Sequence, residues 1–169
     1  SRRRAAFARP RRVTGAGDTE VSLLASQEML ETGDAVALLT PGIPALQPHD
    51  NSDFDRDGMA DVAVFRPSNG GWFARRSSNG TQLTSTFGNA SDIPTIGDYD
   101  GDDKTDFASW RPSNGRWTVR RTSDGFLFGQ SWGIPGDIPM PGDYDGDRRT
   151  DFAVWRPSNA TWFVIRSSD

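Results

Sequence analysis

Asp53, Asp98 and Asp143 stand 45 residues apart, and the same interval separates Phe65, Trp110 and Trp155. Trp72, Trp117 and Trp162 keep it too, as do the triplets Arg66-Pro67-Ser68, Arg111-Pro112-Ser113 and Arg156-Pro157-Ser158. Between residues 98–124 and 143–169, 19 of 27 positions are identical. A unit of this size cannot bury its own faces. A chain that repeats it must stack the copies, as propellers and solenoids do.

Within one period the sequence breaks into strand-sized pieces. In the copy beginning near Asp98 these are "DIPTIGDY", "TDFASWRP", "RWTVRRTS" and "FLFGQSWG", divided by an acidic loop, by "SNG" and by "DG". Alternating aromatic and β-branched residues between Gly/Asn/Asp turns read as short antiparallel strands. Four strands in about 45 residues is the arithmetic of one propeller blade. The expected fold is therefore mainly β, with about three partial β-propeller-type blades. Closed propellers use about four to eight blades. The expectation is an incomplete propeller, or a ring or stack completed by other chains, which leaves homo-oligomerisation open. The repeated tryptophans are read as filling between blades, ahead of stacking on sugar rings. Arg66, Arg111 and Arg156 are read as making a structural ion pair or hydrogen bond to a neighbouring blade.

The repeat domain is assigned to residues 43–169. Residues 1–17, rich in Arg and then Gly, are expected to be a disordered arm. Residues 18–42 are read as a linker or capping segment. It would hold a short helix, capped by Asp18 or Thr19 and stopped by Gly33, and a strand in "DAVALLTPGIP". "GIPALQPHDNSDFD" resembles the text before the third loop, one residue out of register, as a worn trace of an earlier copy. The chain begins at Ser1, which fits a processed form or a fragment.

The three acidic loops obey D-x-D-x-D-x-x-x-D: Asp53, Asp55, Asp57 and Asp61; Asp98, Asp100, Asp102 and Asp106; Asp143, Asp145, Asp147 and Asp151. Alternating carboxylates on a tight loop aim hard oxygens at a common centre. Ca²⁺ takes six to eight such ligands at about 2.3–2.6 Å. The seventh position, Met59, Lys104 or Arg149, would contribute a backbone carbonyl, so its side chain is free to vary. The EF-hand comparison fails. Its bidentate Glu at position 12 has no counterpart in Val64, Ser109 or Val154, and the flanks read as strands. Mg²⁺ suits so ligand-rich a cage less well. Acidic turns without an ion are the plainer alternative, disfavoured by the threefold recurrence of the spacing. Paired catalytic carboxylates need unlike environments. Near-identical clusters in each repeat argue for equal structural jobs and for no enzyme.

Composition adds exclusions. The chain has no cysteine, so neither disulfides nor thiolate metal sites are available. The formal charge of −4, with no basic face beside the aromatics, argues against nucleic acid. No apolar run is long enough to span a bilayer. His49, the sole histidine, reads as a loop residue, and the sequon at Asn89 carries little weight.

"GDYDGDDKTDFASWRPSNG" and its sister copies resemble the FG-GAP or VCBS-type repeats of bacterial surface and secreted proteins. Those repeats are related to the calcium-loaded blades of integrin α-chain propellers. The resemblance covers roughly residues 43–169. It implies calcium at the loop aspartates, up to three ions, a β-propeller and an extracellular or cell-surface setting, with no enzymatic activity. Two departures accompany it. The sixth loop position, usually Gly, is kept as Gly58 but replaced by Asp103 and Arg148, so the third loop is expected to be the least tight site. The number of blades also falls short of a closed ring. The expected role is binding or adhesion to a protein or carbohydrate ligand. The alternatives are an accessory region of a secreted polysaccharide hydrolase or lyase, and a self-assembling structural subunit.

Overall fold

A computed structural model describes residues 52–169 and the backbone of strand β1 (Val36–Ala37). The arm expected at 1–17, the helix expected after Asp18 and the worn trace before the first loop lie outside the described residues.

The described residues form three antiparallel sheets, and no helix occurs among them. The first sheet runs β1–β2 (Val62–Arg66)–β3 (Gly71–Arg75)–β4 (Gln82–Thr86). The second runs β5 (Ile93–Pro94)–β6 (Phe107–Arg111)–β7 (Arg116–Arg120)–β8 (Leu127–Ser131). The third holds β9 (Ile138–Pro139), β10 (Phe152–Arg156) and β11 (Thr161–Ile165), with β10 in the middle. In every sheet, strands that follow one another in the chain pair antiparallel. Register repeats with the sequence: Phe65 faces Trp72, Trp110 faces Trp117 and Trp155 faces Trp162. The first-strand slot opposite Phe65 is taken by Val36, as Ile93 faces Trp110 and Ile138 faces Trp155. The first blade thus draws its inner strand from farther back in the chain than the period suggests.

Phe107, Ala108, Ser109 and Trp110 alternate between the two faces of β6, and all four are buried. The cause is packing. The middle sheet has a neighbour on either side, so both of its faces are interior. Strand β2 of the first sheet, by contrast, alternates from an exposed Val62 to a buried Ala63.

The blades meet through one aromatic device, used twice. Phe107 of the second blade sits 4.8 Å from Phe54 and 5.6 Å from Trp72 of the first, centroid to centroid. Phe152 of the third sits 5.2 Å from Tyr99 and 5.3 Å from Trp117 of the second. Backbone bonds repeat beside them: Thr105 N donates to the Asp53 carbonyl at 2.7 Å, and Thr150 N to that of Asp98 at 2.6 Å. Trp72, Trp110 and Trp117 are fully buried, and each indole N–H finds a carbonyl, of Phe87 or Trp132. The reading of these tryptophans as filling between blades holds there. Trp162 differs, at 49% exposed.

Candidate metal centres

Each acidic loop lies between the first and second strands of its blade and is wound by its own leading aspartate. Asp53 Oδ1 accepts from the amides of Asp55, Arg56 and Asp57 at 2.6–3.3 Å, and Oδ2 from Gly58 at 2.8 Å. Asp98 accepts from Gly101 and Asp103, and Asp143 from Gly146 and Arg148. Such a turn requires positive φ at its fourth and sixth positions. Gly58, Asp103 and Arg148 adopt it at 83°, 61° and 72°, so the sixth position is left-handed whichever residue stands there.

The winding gathers oxygens. One carboxylate oxygen from each of Asp53, Asp55 and Asp57 lies within 4.8 Å of the other two. The same holds for Asp98, Asp100 and Asp106, and for Asp143, Asp145 and Asp151. In each of the first two loops one clustered aspartate has a buried oxygen with no hydrogen-bond partner: Oδ1 of Asp55 and Oδ1 of Asp100. A buried carboxylate oxygen without a donor is costly. A hard cation satisfies it, so these residues fit a divalent ion.

The ninth-position aspartates are tied more firmly than the sequence indicates. Asp61 accepts from Phe54 N at 2.8 Å and Ser77 N at 2.7 Å, one bond on each oxygen. Asp106 does the same with Tyr99 and Thr122, and Asp151 with Tyr144 and Ser167. Each joins the loop to the turn after the third strand. Burial pushes the Asp106 carboxyl up to about 7, against the lowering effect of its amide bonds, with Asp100 and Asp98 adding to the rise. Asp61 and Asp98 are also raised, chiefly by burial. Asp147 is held below the ordinary range, first by the Ser167 hydroxyl.

Met59, Lys104 and Arg149 are anchored by their amides, which donate to Asp57, Asp102 and Asp147 at 2.8–2.9 Å. Asp102 also lies 3.4 Å from its neighbour Lys104 Nζ.

Sequence reasoning missed the hydroxyls that clamp the loops. Ser78, Ser123 and Ser168 donate to Asp55, Asp100 and Asp145, each at 2.5 Å. Ser77 and Ser167 donate to Asp57 and Asp147, and Thr122 to Asp106. Their 45-residue spacing was a signal available in the sequence. The arginines were only half anticipated. Arg111 forms a bidentate pair with Asp92 at 2.7 and 3.0 Å, and Arg156 with Asp137 at 2.7 and 2.9 Å. The partner is not on a neighbouring blade: it leads directly into the first strand of the same sheet. Arg66 instead lies over the Phe73 ring at 5.0 Å.

A family model described as an FG-GAP-like repeat matches residues 53–109. No curated protein and no solved structure matches the chain. The matched repeat runs from the first acidic loop through the first blade into β6, and so spans the first interface between blades. Among the described residues no helix is long and apolar enough to cross a membrane.

Proposed function

We propose that this FG-GAP-like chain is a calcium-binding β-repeat module that acts outside the cell or at its surface, in binding or adhesion, and not as an enzyme. The observation that carries the calcium reading is the pair of buried, donorless oxygens, Asp55 Oδ1 and Asp100 Oδ1, on aspartates of two carboxylate clusters. The aspartates at positions 1, 3, 5 and 9 of each loop would hold the ion, with Met59, Lys104 and Arg149 adding main-chain oxygen. Acidic loops of the same spacing in successive repeats favour a stabilising role over a reaction centre. Extracellular calcium modules bind at Kd on the order of 10⁻⁴–10⁻³ M, matched to external calcium. The ligand class, protein or carbohydrate, is carried by the resemblance of the repeat alone.

The test is thermal unfolding with chelator and with excess calcium. At tenfold excess over Kd each site contributes about 1.4 kcal/mol, so three occupied sites raise the melting temperature on the order of 10 °C. Calorimetric titration is expected to count up to three ions. An unchanged melting temperature in chelator refutes the reading.

A further inference from the structure

The first two acidic loops are tied by an ion pair that the corresponding residues of the second and third cannot make. Arg56 Nη2 lies 2.6 Å from Asp103 Oδ2, across the interface between the first and second blades. Arg56 is the fourth residue of its loop and Asp103 the sixth of the next. At the second interface those places belong to Gly101 and Arg148, and glycine offers no side chain to pair. The Arg149 side chain lies there instead: a Cβ at Gly101 would stand 2.8 Å from Arg149 Nε. A backbone bond is common to both interfaces, from Thr105 N to the Asp53 carbonyl and from Thr150 N to that of Asp98.

Each end of the ion pair is a residue that winds a carboxylate cluster. The Arg56 amide donates to Asp53 Oδ1 at 2.6 Å, and the Asp103 amide to Asp98 Oδ2 at 2.8 Å. Asp53 and Asp98 both belong to the clusters of converging oxygens. Each end is also left-handed, at φ 65° and 61°, a backbone state that a residue with a Cβ keeps only when something holds it. A cation that draws in the carboxylates of one loop keeps its turn wound, and with it the strained residue. The ion pair passes that constraint to the strained residue of the other loop. A second ion then meets a turn already wound and gives up less conformational freedom on binding.

We infer that Arg56 and Asp103 are positioning residues that couple the first two metal sites, so that an ion in either loop raises the affinity of the other. The inference rests on the calcium reading and adds a regulation to it. By linkage the effect is reciprocal. The pair is partly exposed, 63% at the arginine and 22% at the aspartate side chain, which limits the coupling to about two- to fivefold.

The experiment is calcium binding by equilibrium dialysis on full chains in which loops are silenced by substitution. Asp145→Asn silences the third loop, and Asp55→Asn or Asp100→Asn added to it leaves a single site. With the first two loops intact, the product of the two association constants is expected to exceed the product of the single-site constants by about two- to fivefold. Arg56→Gln is expected to lower that factor to the one found between the second and third loops, measured in the same way with Asp55→Asn as background. The charge swap Arg56→Asp with Asp103→Arg is expected to restore it, since Arg148 already places an arginine at the left-handed sixth position. Structural damage is not repaired by a second substitution, and a change in one site's own affinity cancels from the factor. Sites that bind calcium with a factor no larger between loops one and two than between two and three overturn the coupling and leave the calcium reading standing. So does a factor that Arg56→Gln leaves intact. Chains that bind no calcium overturn both.

Discussion

Every acidic loop carries left-handed backbone at its fourth and sixth positions, and in each loop one of the two residues is not glycine. Arg56 pairs with Gly58, Gly101 with Asp103, and Gly146 with Arg148. A side chain in this region costs about 1–2 kcal/mol, so each loop retains one strained residue. Arg56 recovers part of the cost through its 2.6 Å ion pair with Asp103 across the blade interface. Arg148→Gly is therefore expected to stabilise the chain by about 0.5–1 kcal/mol. Gly146→Ala is expected to destabilise it by about 1 kcal/mol, although a Cβ there meets no atom within 4 Å. Chemical denaturation checks both signs. The buried carboxylates make a second prediction at this scale. Asp106 titrates near 7 when folded, above its ordinary 3.8, so its contribution to stability is present below about 4 and lost as the pH climbs through 7. Asp61 and Asp98 shift the same way. In chelator the melting temperature is expected to fall between about pH 4 and 7. Excess calcium, which takes the ionised form, is expected to cancel or reverse that fall. A flat or rising profile in chelator contradicts this.

At the scale of one blade, two side-chain ties hold the strands to their connections. The ninth-position aspartate and its Ser or Thr partners join the acidic loop to the turn after the third strand. The Arg–Asp pair joins the end of the second strand to the residue before the first. Asp92 and Asp137 are buried at 7% and 6% exposure, so removing the arginine strands a carboxylate. Arg111→Met is expected to cost about 2–4 kcal/mol. Arg66→Met, which among the described residues loses a contact with an aromatic ring and no such pair, is expected to cost about 1 kcal/mol or less. Urea midpoints compared at a common slope decide it. The Arg-Pro-Ser spacing announced these arginines as structural. It did not name their partners, because the aspartate lies 19 residues upstream and is brought near by the antiparallel pairing of β5 with β6 and of β9 with β10.

At the scale of the whole molecule, stability resides in the contacts between blades. Phe107 is 2% exposed and packs with Phe54, Phe65, Trp72 and Phe87 in one cluster. Phe107→Ala is expected to cost about 3–5 kcal/mol, and Val62→Ala, at the equivalent place on an exposed face, roughly 0.5 kcal/mol or less. Thermal melts of the two variants measure the difference between a buried position and a half-exposed one. The first strand of the second blade, expected over 92–99, is only Ile93–Pro94. The 45-residue period, the order of the strands, the three acidic loops and the role of Trp72, Trp110 and Trp117 were all determined by sequence alone. Each depends on local spacing, turn chemistry or alternation, which neighbouring residues settle between themselves. Tertiary structure decided what makes the copies unequal. Asp53 and Asp98 are 7% and 6% exposed while Asp143 is exposed, and Trp72 and Trp117 are buried while Trp162 is half exposed. Near-identical sequence cannot encode that difference, because burial comes from the blade packed against each copy and not from the copy itself.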